Sequence, residues 1–212
     1  MAVNFGIDAM TKAAVQNPDA TLPESALSAA LGGRSLVLIG MMGAGKSSIG
    51  RRLATRLALP FVDADAEIEK AASMTITEIF AAQGEDYFRA GEARVIARLL
   101  DGGPQVLATG GGAFMNPNTR TAVRAKGLSI WLKATTEILM RRIKRRADRP
   151  LLAAADPVET LNKLIAERYP VYAEADITVE SRDVPHDAIV GEIVVKLRSH
   201  PSLAGGGAGE GR

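Results

Sequence analysis

The sequence predicts one α/β domain built on a five-stranded parallel sheet with helices on both faces. Its 212 residues are the size of a single domain, and 47% hydrophobic against 24% charged residues can supply a core. Short apolar runs alternate along the chain with stretches of helical periodicity, which is typical of consecutive βαβ units. Ligands of such sheets bind at the carboxyl ends of the strands, so we expect the functional side chains there.

A buried strand, a glycine-rich turn and a helix begin the domain. Residues 35–40 form an apolar run that suits a strand buried on both faces. Ile49, Leu53 and Leu57 then recur at helical spacing until Pro60 ends the pattern.

A second short strand, at residues 60–62, precedes two further helices. Thr75 and Glu78 have the spacing of a capping box for the first of these helices. The second is longer and begins at about Glu85. Its buried face is predicted to carry Phe88, Gly91, Val95 and Leu99.

The second half of the domain supplies the other three strands, at residues 105–109, 128–132 and 177–179. Asn116 and Thr135 mark the starts of two helices, and a last helix covers residues 187–197.

The two ends of the chain differ in composition from this domain, which we place at residues 34–198. Residues 1–33 are predicted to be a partly disordered extension with a short helix from Pro23 to Leu31 that Gly32 ends. Residues 199–212 are glycine-rich and are predicted to be a disordered tail.

Composition excludes several function classes. The chain has no cysteine and two histidines, so thiol nucleophiles, cysteine-ligated zinc and multi-histidine metal sites lack material. Its formal charge of +2 does not indicate nucleic acid. The sequence contains no apolar run of the roughly 20 residues that span a bilayer, and its start does not resemble a secretory signal. We expect a cytoplasmic monomer without nucleic-acid or membrane partners.

Residues 40–47, GMMGAGKS, match the phosphate-binding pattern G-x-x-x-x-G-K-[ST] in full, between an apolar strand and a helix. Backbone N–H groups of such a loop surround phosphates, Lys46 reaches the outer phosphates, and the Ser47 hydroxyl can bind Mg²⁺. The candidate nucleotide-binding residues in this region are Gly43, Ala44, Gly45, Lys46, Ser47 and Ser48.

Two other protein classes that share this loop are disfavoured. A GTPase switch normally carries DxxG and NKxD, whereas Asn162 and Lys163 lack the following aspartate and no aspartate precedes a glycine by three residues. A nucleoside monophosphate kinase usually has an acidic residue at the strand end where this chain reads VLATGGG.

Asp63 and Asp65 are two residues apart at a strand end, so both can face one site at the carboxyl edge of the sheet. One carboxylate can serve Mg²⁺ while the other receives a substrate hydroxyl, as phosphoryl transfer requires. The alternative is a solvated loop.

Other candidates have an ordinary structural alternative. Arg89 could bind a carboxylate beside Phe88, or could be a surface arginine. Gly110, Gly111 and Gly112 allow close backbone approach to a ligand, or form a flexible turn. Arg168 precedes a proline break, where an arginine is usually solvated.

The basic segment at residues 141–149 has a net charge of +5, from six basic residues against Asp148. It can be a solvated helix face, a nucleic-acid patch or a lid over transferring phosphates. The absence of aromatic residues between Ala134 and Asp156 leaves no stacking platform for single-stranded nucleic acid. Arg149, which precedes Pro150, suits a mobile lid that neutralises developing charge.

Residues 34–198 resemble the shikimate kinases through six motifs that occur in that family's order: GMMGAGKSSIGRRLA, FVDAD, GEDYFRAGE, LATGGGA, RADRPLL and ERYPVY. The resemblance implies the three-layer P-loop fold of nucleoside monophosphate kinases. It also implies Mg²⁺-dependent transfer of phosphate from ATP to the 3-hydroxyl of shikimate, in chorismate biosynthesis. Another small-metabolite kinase, such as a gluconate kinase, is the alternative, with a P-loop NTPase switch after it.

By this resemblance, Lys46 holds phosphates, while Ser47 and Asp63 bind Mg²⁺. The positions that match the shikimate site are Asp65, Arg89, Gly110, Gly111, Gly112 and Arg168. Phe80, Phe88 and Glu92 match residues that line or brace that site. Arg149 matches the lid arginine, and Arg142 with Pro185 resembles the pair that flanks the adenine.

Overall fold

The computed structural model describes residues 22–145 and 155–204 and contains the predicted five-stranded parallel sheet. The strands are β1 Ser35–Ile39, β2 Phe61–Asp63, β3 Val106–Ala108, β4 Gly127–Lys133 and β5 Ile177–Glu180. Their order across the sheet is β2-β3-β1-β4-β5, and every neighbouring pair is parallel. The predicted fold class is confirmed.

The helices connect and cover these strands. They are α1 Leu27–Leu31, α2 Lys46–Arg56, α3 Ala64–Ala72, α4 Ile76–Asp101, α5 Pro117–Lys126, α6 Thr136–Ile143, α7 Pro157–Tyr172, α8 His186–Arg198 and α9 Pro201–Ala204. Two short 3₁₀ helices, Glu24–Ala26 and Ala113–Met115, precede α1 and α5.

The core lies on both sides of β1, which has a partner strand on each edge. All five residues of β1 are buried, and in register Val37 lies between Leu107 of β3 and Ser129 of β4. Each apolar side chain buried in this way contributes roughly 1.5–3 kcal/mol relative to exposure. This two-sided burial explains why the run at residues 35–40 shows no polar alternation.

Side-chain caps begin the helices at several predicted places. Thr75 and Glu78 form the complete capping box of α4. Asn116 accepts a hydrogen bond from the N–H of Asn118 at the start of α5, and Thr135 caps α6. Each cap occupies a backbone donor that would otherwise lack a partner in the first helical turn.

The two helices predicted in this region are both present in α4. The chain is helical on each side of Gly84, whose φ of 80° and ψ of 175° are non-helical, so the second helical stretch begins at about Glu85, as predicted. In the longer stretch Phe88 is buried as predicted, and the other buried positions are Glu92, Ile96 and Leu100. The predicted Gly91, Val95 and Leu99 are half-buried, so beyond Phe88 the buried face is displaced by one residue. The buried stripe includes a carboxylate, which a search for apolar periodicity does not select.

The short helix predicted before Gly32 is present, and chain on both sides of residues 34–198 packs against the domain. Leu27 and Leu31 of the predicted extension are buried in the core, and the N–H of Leu22 donates to the carbonyl of Arg198 at 3.1 Å. At the other end, helix α9 places Leu203 in the same core, so ordered chain continues past residue 198. Residues 1–21 and 205–212, which include the glycine-rich stretch, lie outside the described residues.

Within the two described stretches of chain, no helix combines the length and the apolarity needed to cross a membrane.

Gly50 allows α2 to pack closely on the sheet. A Cβ at this position would lie 2.7 Å from Cε2 of Phe61 and 2.9 Å from Cδ1 of Leu38. We expect Gly50→Ala to lower the free energy of unfolding by about 1–3 kcal/mol, because overpacking outweighs the better helix propensity of alanine. Gly191→Ala in α8 is the control, since a Cβ there meets only an Arg56 nitrogen at 3.8 Å. Urea denaturation should show unchanged or higher stability for that variant; equal losses in both would contradict the packing explanation.

Candidate active site

The predicted phosphate loop joins the end of β1 to the start of α2. Gly40, Gly43 and Gly45 have φ values of 137°, 80° and 98°, which residues other than glycine rarely adopt. A Cβ on Gly40 would lie 2.7 Å from the carbonyl oxygen of Leu132, so this position also requires glycine for space. The sequence motif therefore has the backbone conformation of a phosphate loop.

Lys46 crosses this loop at the start of α2. Its ammonium group donates hydrogen bonds to the carbonyl oxygens of Gly40 at 2.7 Å and Met41 at 3.0 Å. A cleft of about 410 Å³ opens above the loop, and the predicted residues that line it are Gly43, Gly45, Lys46, Ser47, Ser48, Asp63, Asp65, Gly111 and Arg142. Ala44, also in the loop, is buried and does not line the cleft; its carbonyl accepts a hydrogen bond from the Ser181 hydroxyl.

Ser47 and Asp63 supply oxygen donors at one point of the cleft. The Ser47 hydroxyl donates to Oδ2 of Asp63 at 2.7 Å, while Oδ1 accepts from the N–H of Asp65 at the start of α3. A hydroxyl and a carboxylate are ligands that suit Mg²⁺, which commonly takes its other ligands from water and substrate phosphates. The donor set fits this ion. The described residues contain no group of three or more acidic or histidine side chains that could hold a metal alone.

Asp65 lies at the first turn of α3, between the phosphate loop and the acceptor side of the cleft. Burial raises the pKa of its carboxyl group, and the nearby charge of Asp63 raises it further, while Lys46 and Arg89 act in the opposite direction. A carboxyl group with this environment can accept a hydrogen bond from a substrate hydroxyl and can take its proton.

Arg89 and Glu92 project from one side of α4 toward the same space. Nη1 of Arg89 donates to Oε2 of Glu92 at 2.8 Å. Nε and Nη2 of Arg89 donate to Oε1 of the exposed Glu85. Glu92 is only 1% exposed, and its other oxygen, Oε1, has no hydrogen-bond partner in the described structure. Glu92 therefore fixes one edge of the guanidinium, and the solvated pair with Glu85 can give way to a ligand carboxylate.

The glycine turn after β3, at residues 110–112, lies against all these side chains. A Cβ on Gly110 would be 2.7 Å from Oε1 of Glu92 and 2.8 Å from Oδ1 of Asp65, and a Cβ on Gly112 would be 2.5 Å from Nη1 of Arg89. A side chain at Gly110 or Gly112 would displace these groups, so glycine at these two positions permits their close approach. At Gly111 a Cβ would be at an ordinary contact distance.

Arg168 reaches the glycine turn from α7. Helix α7 continues through Pro170 to Tyr172, so the expected proline break and solvated arginine were wrong. Pro170 removes one helical N–H but does not end the helix. Nε of Arg168 is buried and has no hydrogen-bond partner among the described residues, and Nη1 lies 3.5 Å from where a Gly111 Cβ would be. A buried donor of this kind is suited to an anionic ligand.

Phe80 and Phe88 form an aromatic wall beside Arg89. Their ring centroids are 4.6 Å apart, and Phe88 is 4% exposed. The guanidinium carbon of Arg89 lies 5.1 Å from the Phe88 centroid and 6.0 Å from that of Phe80. The wall limits the directions that the guanidinium can take.

Arg142 lines the opposite end of the cleft. It donates to the Ser181 hydroxyl at 2.8 Å and to the carbonyl of Arg182 at 2.6 Å, and burial lowers the pKa of its guanidinium. Pro185 is the cap residue before α8; its neighbours Val184 and His186 line the cleft, but Pro185 itself does not. Arg149 lies outside the described residues, so its lid role stays a prediction.

Three polar contacts of the site were missed in the sequence. The Tyr172 hydroxyl donates to the carbonyl of Gly111, Thr109 bonds the carbonyl of Leu38, and Ser181 connects Arg142 to the phosphate loop. Two signals could have indicated Tyr172: it is the last residue of the ERYPVY motif, and its position four residues after Arg168 places both on one side of a helix. Ser181 carries no such signal.

The parallel sheet and the phosphate loop at the end of β1 define a P-loop kinase fold. A family model described as shikimate kinase matches residues 42–198. The chain belongs to the shikimate kinase family.

Individual proteins agree with this assignment. The chain is 65% identical over 178 residues to a shikimate kinase of Bradyrhizobium diazoefficiens, covering 84% of this chain and 86% of the relative. It is 62% identical to that of Rhodopseudomonas palustris, covering 90% and 92%. A structure of shikimate kinase from Acinetobacter baumannii in complex with shikimate superposes with a TM-score of 0.77 at 34% identity, over 84% of this chain and 99% of that one.

Burial of Glu92 predicts a pH dependence of stability. Burial raises the pKa of this carboxyl group, with Arg89 opposing the shift, so the folded chain retains a proton that the unfolded chain releases. The free energy of unfolding must therefore fall as pH rises from the ordinary pKa through the raised one. We expect the stability of Glu92→Gln relative to the unmodified protein to increase across that window.

Urea denaturation at several pH values measures this difference. Glu78→Gln is the control of opposite sign, because hydrogen bonds from Thr75 lower the pKa of Glu78. The stability of this variant relative to the unmodified protein should therefore decrease as pH rises. A stability difference for Glu92→Gln that does not vary with pH would mean that Glu92 titrates alike in the folded and unfolded chains.

Proposed function

We propose that this protein transfers the γ-phosphoryl group of ATP to the 3-hydroxyl of shikimate, a step of chorismate biosynthesis. The observation that carries the proposal is the meeting of Asp65, Arg89 and Arg168 at the glycine turn, directly beside the phosphate loop. Shikimate carries one carboxylate and hydroxyl groups, which match two guanidinium groups and a carboxyl acceptor. A related structure is described as a complex with shikimate, which supports this choice of acceptor.

The nucleotide is bound through its phosphates in this proposal. Gly43 and Gly45 have the positive φ values that let a loop curl around phosphates, whose oxygens its backbone N–H groups would bind. The amino end of α2 favours negative charge, and Lys46 contacts the transferred group. Ser47 and Asp63 would hold Mg²⁺, which when bound neutralises charge on the phosphates. Arg142 lies at the far end of the cleft, where it would contact the base of the nucleotide.

The acceptor is held by charge and oriented by a hydrogen bond. Arg89 and Arg168 bind the carboxylate of shikimate, with Glu92 fixing the first guanidinium. Asp65 accepts a hydrogen bond from the attacking hydroxyl and can receive its proton as the phosphorus–oxygen bond forms. The loose transition state of phosphoryl transfer demands little base strength, so orientation is the main contribution of Asp65.

A gluconate kinase is the second candidate. A gluconokinase from Sinorhizobium meliloti has a TM-score of 0.51 and 18% identity, which is a likeness of fold alone. ADP release should be measured with shikimate, gluconate, nucleoside monophosphates and no acceptor. We expect release that depends on shikimate; equal release without an acceptor would indicate an ATPase or switch, and release with gluconate alone would replace the proposed acceptor.

The proposal includes three further expectations from the sequence. The enzyme acts as a monomer in the cytoplasm, and Arg149 moves over the phosphates as part of a lid. Such a lid would exclude water from the transferred group.

Removing either acceptor arginine should abolish shikimate turnover without affecting ATP binding. The loss of a desolvated partner of a carboxylate costs about 2–5 kcal/mol. We expect Arg89→Ala and Arg168→Ala each to lower kcat/KM for shikimate by the factor that corresponds to this loss of free energy. Arg94→Ala is the matched control, because Arg94 is exposed on the same helix as Arg89. Normal turnover in both site variants would remove these arginines from the acceptor site.

The two aspartates should separate in their dependence on Mg²⁺. Asp65→Asn keeps the shape and removes the charge, so turnover should fall by at least about 100-fold while affinity for Mg²⁺–ATP stays within a few fold. Asp63→Asn should raise the Mg²⁺ concentration required for half-maximal rate. Asp86→Asn, on the exposed surface of α4, is the control for loss of a carboxylate. If only the Asp65 variant changed its Mg²⁺ requirement, Asp65 would be the residue that serves Mg²⁺ and Asp63 the one that orients the hydroxyl.

A further inference from the structure

Tyr172 lies where the two halves of the site meet. It is the last residue of α7, and its side chain is fully buried. Its hydroxyl donates a hydrogen bond to the carbonyl oxygen of Gly111 in the glycine turn and lies 3.9 Å from Sδ of Met41 in the phosphate loop. One hydroxyl therefore contacts the turn on the acceptor side and the loop on the nucleotide side.

The bond to Gly111 determines the orientation of a peptide group that glycine leaves free. A peptide unit is planar, and its carbonyl and N–H point in opposite directions. Holding the carbonyl of Gly111 therefore also directs the N–H of Gly112. Within residues 22–145 and 155–204, neither Gly111 nor Gly112 donates its N–H to a protein acceptor. These donors can serve a ligand oxygen, provided that the peptide does not rotate.

The environment of the Tyr172 side chain keeps its hydroxyl protonated and its ring in place. Burial raises the pKa of Tyr172 to about 12, with the nearby guanidinium of Arg168 acting against this rise. The hydroxyl consequently keeps its proton throughout the neutral range. The indole of Trp131 packs edge-on at 6.0 Å between centroids and limits movement of the phenol ring.

We propose that Tyr172 is a positioning residue for the acceptor: its hydroxyl holds the Gly111–Gly112 peptide in the orientation that binds shikimate between Arg89 and Arg168. Tyr172 acts through Gly111, and the side-chain hydrogen bond between its hydroxyl and Arg168 supports the same acceptor site. This inference rests on the proposed function, because it concerns the same acceptor.

The chain offers a matched pair of variants for the test. Tyr169 lies one turn earlier in α7, and its hydroxyl also donates to a backbone carbonyl, that of Ala134 outside the glycine turn. Tyr172→Phe and Tyr169→Phe thus each remove, from the same helix, one hydroxyl and its hydrogen bond to a backbone carbonyl. KM for shikimate, KM for ATP and the melting temperature are measured for both variants and for the unmodified protein.

We expect Tyr172→Phe to raise KM for shikimate about five- to tenfold, with KM for ATP unchanged within about twofold. Tyr169→Phe should leave KM for shikimate within about twofold while lowering the melting temperature to a similar extent. If the Tyr172 variant is too unstable for kinetics, calorimetric binding of shikimate at reduced temperature gives the same comparison. Equal shikimate affinity in the two variants would overturn the inference. The absence of shikimate phosphorylation by the unmodified protein would instead overturn the proposed function.

Discussion

The parallel pairing of β1 with β3 and β4 is the constraint on which the site depends. Parallel strands present their carboxyl ends at one edge of the sheet. The phosphate loop after β1, Asp63 at the end of β2 and the glycine turn after β3 are distant in sequence, yet the parallel pairing of β3 with both β1 and β2 brings them together. The central strand is buried on both faces, so the same apolar contacts that stabilise the fold also fix the positions of the reacting groups.

Space is limiting at this edge, and glycine provides it. Gly40 permits the loop to approach β4, and Gly110 and Gly112 permit carboxyl and guanidinium groups to approach the turn. The same closeness desolvates Asp65 and Glu92 and raises their pKa values. A rigid backbone next to half-desolvated charges is a preorganised environment, in which a bound anion replaces water at little cost in reorganisation.

Much of the fold and part of the site could be predicted from the sequence, for identifiable physical reasons. The strands and the cap at Thr75 depend on local patterns, and the phosphate loop depends on backbone conformations that only particular residues adopt. The buried face of α4 was predicted correctly at Phe88 and is displaced by one residue beyond it, where Glu92 occupies a core position through its ion pair with Arg89. Arg168 looked solvated because a proline follows it, and the burial of its Nε atom depends on tertiary contacts that local periodicity does not contain.

The two ends of the described chain meet at the edge of the sheet opposite to the chemistry. The backbone N–H of Leu22 donates a hydrogen bond to the carbonyl of Arg198. Arg34, immediately before β1, donates to the Ser202 hydroxyl at 3.0 Å. Both ends of the described chain therefore lie near the amino end of β1, whereas the phosphate loop follows its carboxyl end. A circular permutant that joins these ends, or a surface linkage made at either of them, would leave the reactive edge facing outward and unobstructed.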